Sequence, residues 1–339
     1  MQIGTINLGN LPLFLAPMED VTDESFRFVC KMFGADMMYT EFVSSDGLIR
    51  DAAKTLQKLV LRDEERPIGI QLYGHDMAAM TEAARRAELA LPDVIDLNFG
   101  CPVRKIANRG AGAGMLCNVP LMVEMTAAIV KAVKVPVTVK TRLGWDDSSK
   151  NIVEVAERLQ DVGIQAITIH GRTRSQMYKG EADWTLIGEV KNNSRMQIPV
   201  IGNGDISSPR IAFEMANRYG VDGLMIGRAT YGRPWIFKEI KSYLREGRII
   251  SPPTVAERVS LAKMHLLKSV EVKGLPTGIL EMRRHLAHYF KGLPHFKEFR
   301  MKLVTLNEAD LLIALLDQIA IHYQGYEWPD EEVVSPLIH

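Results

Sequence analysis

The sequence predicts an α/β protein, a (β/α)8 barrel followed by a small all-helical domain, and three observations carry that prediction. Short β-rich segments recur eight times with helix-like stretches between them, about 25 to 40 residues apart, as successive βα units require. Polar residues occupy the last positions of several of these segments. After Arg228 the strand pattern stops and helical periodicity takes over.

The segments are LFLAPM (13–18), MYTEFVS (38–44), IGIQLYG (68–74), VIDLNFG (94–100), PVTVKTR (136–142), AITIHGR (166–172), IPVIGNG (198–204) and DGLMIGR (222–228). Helix signals lie between them. Asp76 is placed to cap a run ending near Leu91, and Asn118 with Pro120 opens one ending near Lys134; a short polar side chain satisfies free N–H groups and proline fits the first turn. A doubly wound open sheet also alternates strands and helices, so periodicity alone allows both folds. The strand ends separate them. Gln71, Asn98, Lys140, His170 and Asn203 each end a different segment, and a barrel gathers such ends at one mouth. A buried lysine or histidine is costly without a partner, so these ends imply a shared polar ligand.

Two further turns suggest a phosphate. Asn203-Gly204-Asp205 follows the seventh segment and Gly227-Arg228 the eighth, where barrels often hold a phosphate on backbone amides. Either turn alone reads as an ordinary loop. At adjacent strand ends, with Arg228 able to add a charge-assisted contact, they favour a cofactor phosphate.

The fourth segment runs into IDLNFGCPVRKIANRGAGAG (95–114). Asp96 and Asn98 share one strand face because side chains alternate. Pro102 denies Cys101 the helical region, so the thiol is held in an extended turn. A basic, glycine-rich loop follows, with Arg104, Lys105 and Arg109 among Gly110, Gly112 and Gly114. Taken singly, a cysteine at a strand end is more often a small buried apolar residue. Here Ile95-Asp96-Leu97-Asn98, Gly100-Cys101-Pro102, Ile106 and Gly112-Ala113 stand in an order that resembles the signature of the tRNA-dihydrouridine synthases.

That resemblance covers nearly the whole chain and implies a flavin enzyme that reduces uracil rings in tRNA. Ala16-Pro17-Met18-Glu19 with Thr22-Asp23 resembles the family's first-strand motif. It implies that Pro17, Met18, Glu19, Gln71, Asn98, Lys140, His170, Asn203, Gly204, Asp205, Gly227 and Arg228 hold FMN, with NADPH as reductant. It also implies hydride delivery to uracil C6 and Cys101 as the proton donor to C5, a role that a mostly protonated thiol can fill at neutral pH. Asn98 would orient the uracil or hold the flavin, and Arg142 and Arg172 would contact substrate. Physically, a cation such as Lys140 suits a ring that gains negative charge on reduction, although a lysine there could instead bridge to a carboxylate such as Asp96. His170 reads as a ligand contact rather than a catalyst. Cys30, in the periodic run FRFVCKMF, and Cys117 read as structural.

The motif GRIISPPT (247–254) reads as a linker, which divides the chain into a catalytic barrel, 1–246, and a helical domain, 247–339. Charge is segregated in the second part. From Arg258 to Lys302 basic residues dominate, whereas Leu303 onward holds Glu308, Asp310, Asp317, Glu327, Asp330, Glu331 and Glu332 with no Lys or Arg. Solvated helix faces would produce the same pattern. The segment EMRRHLAHYFKGLP (281–294), however, resembles the helix by which the family grips tRNA. It makes Arg283, Arg284, His285 and Lys291 phosphate-contact candidates and Tyr289 or Phe290 packing residues. Many family members carry lysine where Arg284 stands.

The 339 residues hold 41 basic and 41 acidic side chains, a balance that excludes indiscriminate coating of nucleic acid and makes any RNA contact local. Three cysteines, without disulfide or zinc spacing, point to a reducing compartment and no metal site. No apolar stretch is long enough to span a membrane, and the opening MQIGTINLGN does not read as a leader. The expectation is a cytoplasmic monomer most similar to the bacterial B-type synthases. Two other readings compete: an FMN-barrel reductase of a small pyrimidine or enone, which leaves the basic helices without a task, and a non-catalytic RNA-binding protein on an inactive barrel.

Overall fold

The computed structural model of the chain describes residues 1–328. Two compact units part between Ala229 and Thr230, so the helix Ile236–Glu246, placed with the barrel by the sequence reading, falls in the second unit. Asp330, Glu331 and Glu332 of the acidic tail lie outside the described residues.

In the first unit the main barrel strands are β1 Leu13–Leu15, β2 Met38–Tyr39, β3 Ile68–Tyr73, β4 Val94–Phe99, β5 Val137–Arg142, β6 Ile167–His170, β7 Val200–Asn203 and β8 Gly223–Ile226, and the short strand Val43–Ser44 also pairs with β3. From β2 round to β8 each pairs in parallel with the next in sequence, and β8 returns to β1, with Met225 opposite Phe14. A bridge from Phe14 to Met37, reinforced by the Leu15 N–H donating to the Met37 carbonyl at 3.0 Å, closes the ring. This is the expected barrel. Helices α1 Glu24–Met32, α2 Met77–Glu88, α3 Val119–Ala132, α4 Ile152–Asp161, α5 Thr185–Asn192 and α6 Pro209–Tyr219 alternate with the strands. The foreseen caps are present: Asp76 accepts from the Ala79 N–H at 2.7 Å and Asn118 from the Leu121 N–H at 3.2 Å.

Ile3, from a two-stranded ribbon of Gln2–Ile3 and Ile6–Asn7, packs with Phe14, Met37, Tyr39, Val94, Ala166 and Ile201. Several of these begin or precede their strands, so the ribbon covers the N-terminal end of the barrel and the C-terminal strand ends form the mouth. Each of the larger aliphatic and phenylalanine side chains here, fully buried, contributes about 1.5–3 kcal/mol. On the seventh strand the packing leaves no room for a side chain: a Cβ on Gly202 would lie 2.0 Å from Cζ3 of Trp184, whose indole N–H donates to the Gly204 carbonyl at 3.1 Å. Gly202→Ala is therefore expected to lower stability by roughly 1–3 kcal/mol through overpacking, read as a lower urea midpoint at unchanged slope.

The second unit contains α7 Ile236–Glu246, α8 Val255–Lys273, α9 Thr277–Tyr289, α10 Lys297–Thr305 and α11 Ala309–His322. Gly247, in the left-handed region, ends α7, and Thr254 with Glu257 forms a capping box that starts α8; the predicted linker lies between. Ile279, Met282, Leu286 and Tyr289 recur at helical spacing on α9 and are buried, which is the face that docks it into the bundle. Phe290 is buried beside them.

Candidate active site

Cys101 sits in the turn directly after β4. The side-chain oxygen of Asn98 accepts from the N–H groups of Gly100 at 3.0 Å and Cys101 at 2.9 Å, while the Cys101 carbonyl accepts from Ala113 at 3.0 Å. The glycine-rich loop thus folds back on the cysteine, and at Gly112, with φ +55°, a Cβ would lie 3.0 Å from the Cys101 carbonyl oxygen. Burial raises the Cys101 pKa, opposed by the Val103 N–H and by the charges of Arg142 and Lys140. The group holds its proton at neutral pH, and two cations stand near the thiolate that loss of the proton would leave.

Cations gather around the neighbouring strand ends. Lys140 donates to the side-chain oxygen of Asn203 at 3.3 Å, and Asn203 in turn donates to the Met225 carbonyl at 2.7 Å. Among the described residues Lys140 forms no ion pair, so the carboxylate bridge considered from the sequence is not its arrangement. Burial, then Arg142, pushes its pKa down to about 8. Arg142, Lys140, Arg172 and Arg228 all add to burial in holding His170 well below its ordinary pKa, so the imidazole is neutral. Its Nε2 lies 3.4 Å from the Arg172 guanidinium, which assigns Nε2 as the acceptor.

One carboxylate answers part of this charge. Asp205, at φ +53°, takes both prongs of Arg172, at 2.9 and 2.6 Å, and one bond from Arg228 at 3.0 Å. Its other contact is the Ala182 N–H at 2.8 Å. Burial pushes the Asp205 carboxyl up, but the bonds from Arg172 and Ala182 outweigh it and hold it below the ordinary value. Asp205 thereby fixes the two arginines. The half-exposed Arg228 also lies 5.0 Å from the Tyr178 ring centre. Lys140, Arg142, Arg172 and Arg228 bring four cations to these strand ends, while Asp205 pairs with two of them, Arg172 and Arg228; the surplus leaves a site suited to an anionic ligand, and Gly204, at φ +131°, lets the backbone turn close beside it.

The remaining predicted residues have definite surroundings. Ala16 extends β1 through its bond to the Ile226 carbonyl at 2.9 Å. After Pro17, the Met18 N–H donates to the Thr22 hydroxyl at 2.9 Å, while Glu19 pairs with Lys58 at 2.6 Å. Gly227 stands 3.6 Å from Ala16 by its would-be Cβ. Arg142 and Arg172 are both buried. Arg142 donates to the carbonyls of Gly100 at 2.7 Å, Thr173 at 3.0 Å and Met177 at 2.9 Å, so its first task is to tie the cysteine turn to the loop after β6. Cys30 is buried within α1, as a structural role requires, whereas Cys117 is exposed.

On α9 and in the turn after it the predicted contacts separate. Arg284 and Lys291 are exposed. Arg283 is half-buried and donates to the Asn307 side chain at 2.7 Å. His285 is 2% exposed with its ring 4.7 Å from that of His265. A direct phosphate contact needs a side chain that reaches solvent, so His285 is corrected to a packing residue.

A match to the family model described as Dihydrouridine synthase (Dus) spans residues 14–322. The chain belongs to the dihydrouridine synthase family. It is 40% identical over 325 residues to tRNA-dihydrouridine synthase B of Pseudomonas aeruginosa, covering 96% of this chain and 97% of that one. To the probable tRNA-dihydrouridine synthase of Rickettsia conorii it is 38% identical over 324 residues, 95% and 96% of the two chains. Morphinone reductase resembles it in fold, with a TM-score of 0.53 at 12% identity over 76% of this chain and 92% of that one. Histamine dehydrogenase from Rhizobium sp. 4-9 has the same TM-score at 14% identity, over 76% and 48%. At these identities the two likenesses concern the fold alone. Among the described residues of this dihydrouridine synthase family member, no helix is long and apolar enough to cross a membrane.

Several residues at the mouth were not singled out from the sequence. Tyr178 lies between Arg142, 5.6 Å from its ring centre, and Arg228; Arg174 stacks on Trp145 at 4.4 Å. Tyr178 and Arg174 belong to the irregular loop after β6, where neither period two nor period 3.6 applies. Asp96 is different. The sequence puts it on the Asn98 face and offers it as a partner for Lys140, whereas strand register places it opposite both Gln71 and Thr138.

Proposed function

We propose that this chain reduces the C5–C6 double bond of uridines in tRNA to dihydrouridine, with FMN held at the barrel mouth and NADPH as reductant. The observation that carries the reading is the backbone-anchored Cys101, whose pKa burial raises, beside the cations Arg142 and Lys140. Family membership supplies the substrate class, and the cation-rich mouth fits an anionic cofactor.

Lys140, His170, Asn203, Gly204 and Arg228 are the residues suited to hold FMN, with Gln71, Asn98, Gly227 and the 17–19 segment completing the contacts; Asp205 acts by fixing Arg228. When bound, FMN would take a hydride from NADPH and deliver it to uracil C6. Lys140 opposes negative charge developing on the rings at that moment. Cys101 gives its proton to C5, and its thiolate, near Arg142 and Lys140, regains a proton from solvent before the next turnover. Arg142 and Arg172 act mainly by bracing the loops around the uracil. Extruding the base from its stack costs a few kcal/mol, least in a loop region of the RNA.

Incubation of the purified chain with FMN and NADPH tests the substrate class. NADPH oxidation that needs unmodified tRNA is expected; equal turnover with free uridine or a small enone would replace the reading. Arg284 and Lys291 are assigned to phosphate contacts. Alanine at either should weaken binding alike for different tRNAs and reduce the slope of log affinity against log salt by roughly 0.7–0.9. Arg283→Ala should change that slope less, because its guanidinium is already bonded to Asn307.

A further inference from the structure

Three side chains form a row across the barrel wall: Gln71 on β3 lies opposite Asp96 on β4, which lies opposite Thr138 on β5. The buried Asp96 carboxylate accepts the Thr138 hydroxyl on one oxygen and the Gln71 amide N–H on the other, both at 2.6 Å. An ionised carboxylate can only accept. Gln71 must therefore turn its NH2 toward Asp96, which leaves its oxygen facing Asn98. Asn98 answers with its own NH2 at 2.8 Å, and only then is its oxygen left for the N–H groups of Gly100 and Cys101. An amide side chain has two orientations of nearly equal shape, and an acceptor-only group at the end of the chain selects one for both.

We propose that Asp96 is a positioning residue that, through the fixed polarity of Gln71 and Asn98, holds the backbone turn from which Cys101 acts. The inference rests on the reading of Cys101 as the proton donor. It also accounts for a carboxylate that is otherwise unfavourable, since burial pushes Asp96 up to about 6 against the bonds from Gln71 and Thr138 and the charge of Lys140. The other titratable group facing it is Tyr39, whose own pKa is raised by burial and then by Asp96.

The test reads the turn itself and does not depend on turnover. In the purified protein, Asp96→Asn should let the Gln71 and Asn98 amides sample both orientations. Hydrogen exchange at the Gly100 and Cys101 amides should rise at least about tenfold, and alkylation of Cys101 by iodoacetamide should accelerate with it. Adding Gln71→Glu to that variant places an acceptor-only group one step nearer the turn. The introduced carboxylate then accepts from the introduced amide on one side and from the Asn98 NH2 on the other, and exchange should return to the wild-type rate. A loss of general stability would not be rescued by a second polar change of this sign. Wild-type exchange and alkylation in Asp96→Asn would overturn the proposal, as would a folded double variant that exchanges as fast as the single one. If the single variant does not fold, the double variant alone decides between the same two results. Absence of dihydrouridine formation by the wild type, with the exchange pattern intact, would remove the assigned chemistry and leave the positioning of the turn standing.

Discussion

Cys101→Ala is expected to lower dihydrouridine formation by about 10²–10⁴-fold, the range that a positioned general acid contributes, while the protein keeps its flavin. The substitution removes one sulfur from a turn whose backbone bonds to Asn98 and Ala113 do not involve the side chain, so the mouth should retain its shape. The half-reaction that does not need the acid, NADPH reducing the flavin, should proceed near the wild-type rate. Cys101→Ser should be nearly as defective, because a hydroxyl is a far weaker acid than a thiol. In the wild type the sign of the pH dependence follows from the proton: Cys101 acts only while protonated, and burial raises its pKa. The rate should hold across neutrality and fall as pH rises through the thiol's raised pKa. A rate that instead rises with deprotonation of Cys101 would make it a base or nucleophile and contradict the assignment.

Lys140→Met should have two effects of opposite sign. Burial lowers the Lys140 pKa to about 8, below its value of about 10.4 in an unfolded chain. Between those values the unfolded chain binds more protons, so the charged ammonium lowers stability at neutral pH and the penalty fades as pH rises through that window. Removing the charge should relieve up to about 3 kcal/mol, reduced by the bond that Asn203 loses, about 1 kcal/mol. The flavin-free variant should therefore unfold at higher urea concentration at pH 7, with the gain shrinking toward pH 10. Function should move the other way, with flavin binding weakened and its reduction by NADPH slowed by roughly 10²–10³-fold. A variant that is both less stable without flavin and fully active would show that Lys140 is structural.

The barrel was legible because strand ends and helix caps are local signals. Gln71, Asn98, Lys140, His170 and Asn203 could each be placed by position in a segment, and the structure brings Lys140 to Asn203 and Gln71 to Asn98. What those residues do to one another was not legible. Register decides that Asp96 faces Gln71 and Thr138, and nothing in either segment alone fixes register. Arg142 shows the same limit: its position at a strand end was apparent, but its bonds to Gly100, Thr173 and Met177 depend on the path of a long loop. His285 was misread for a different reason. Arg283, Arg284 and His285 are consecutive, and successive residues on a helix point about 100° apart, so they cannot share one exposed face. The phase of Met282, Leu286 and Tyr289 carried the information that His285 turns inward.

The most direct measurement is the dihydrouridine content of unmodified tRNA after incubation with flavin-loaded protein and NADPH, mapped by position and compared with Cys101→Ala. The account predicts dihydrouridine at defined positions with the wild type and nearly none with the flavin-loaded variant. No dihydrouridine on several tRNAs, from wild-type protein whose flavin NADPH does reduce, would contradict it.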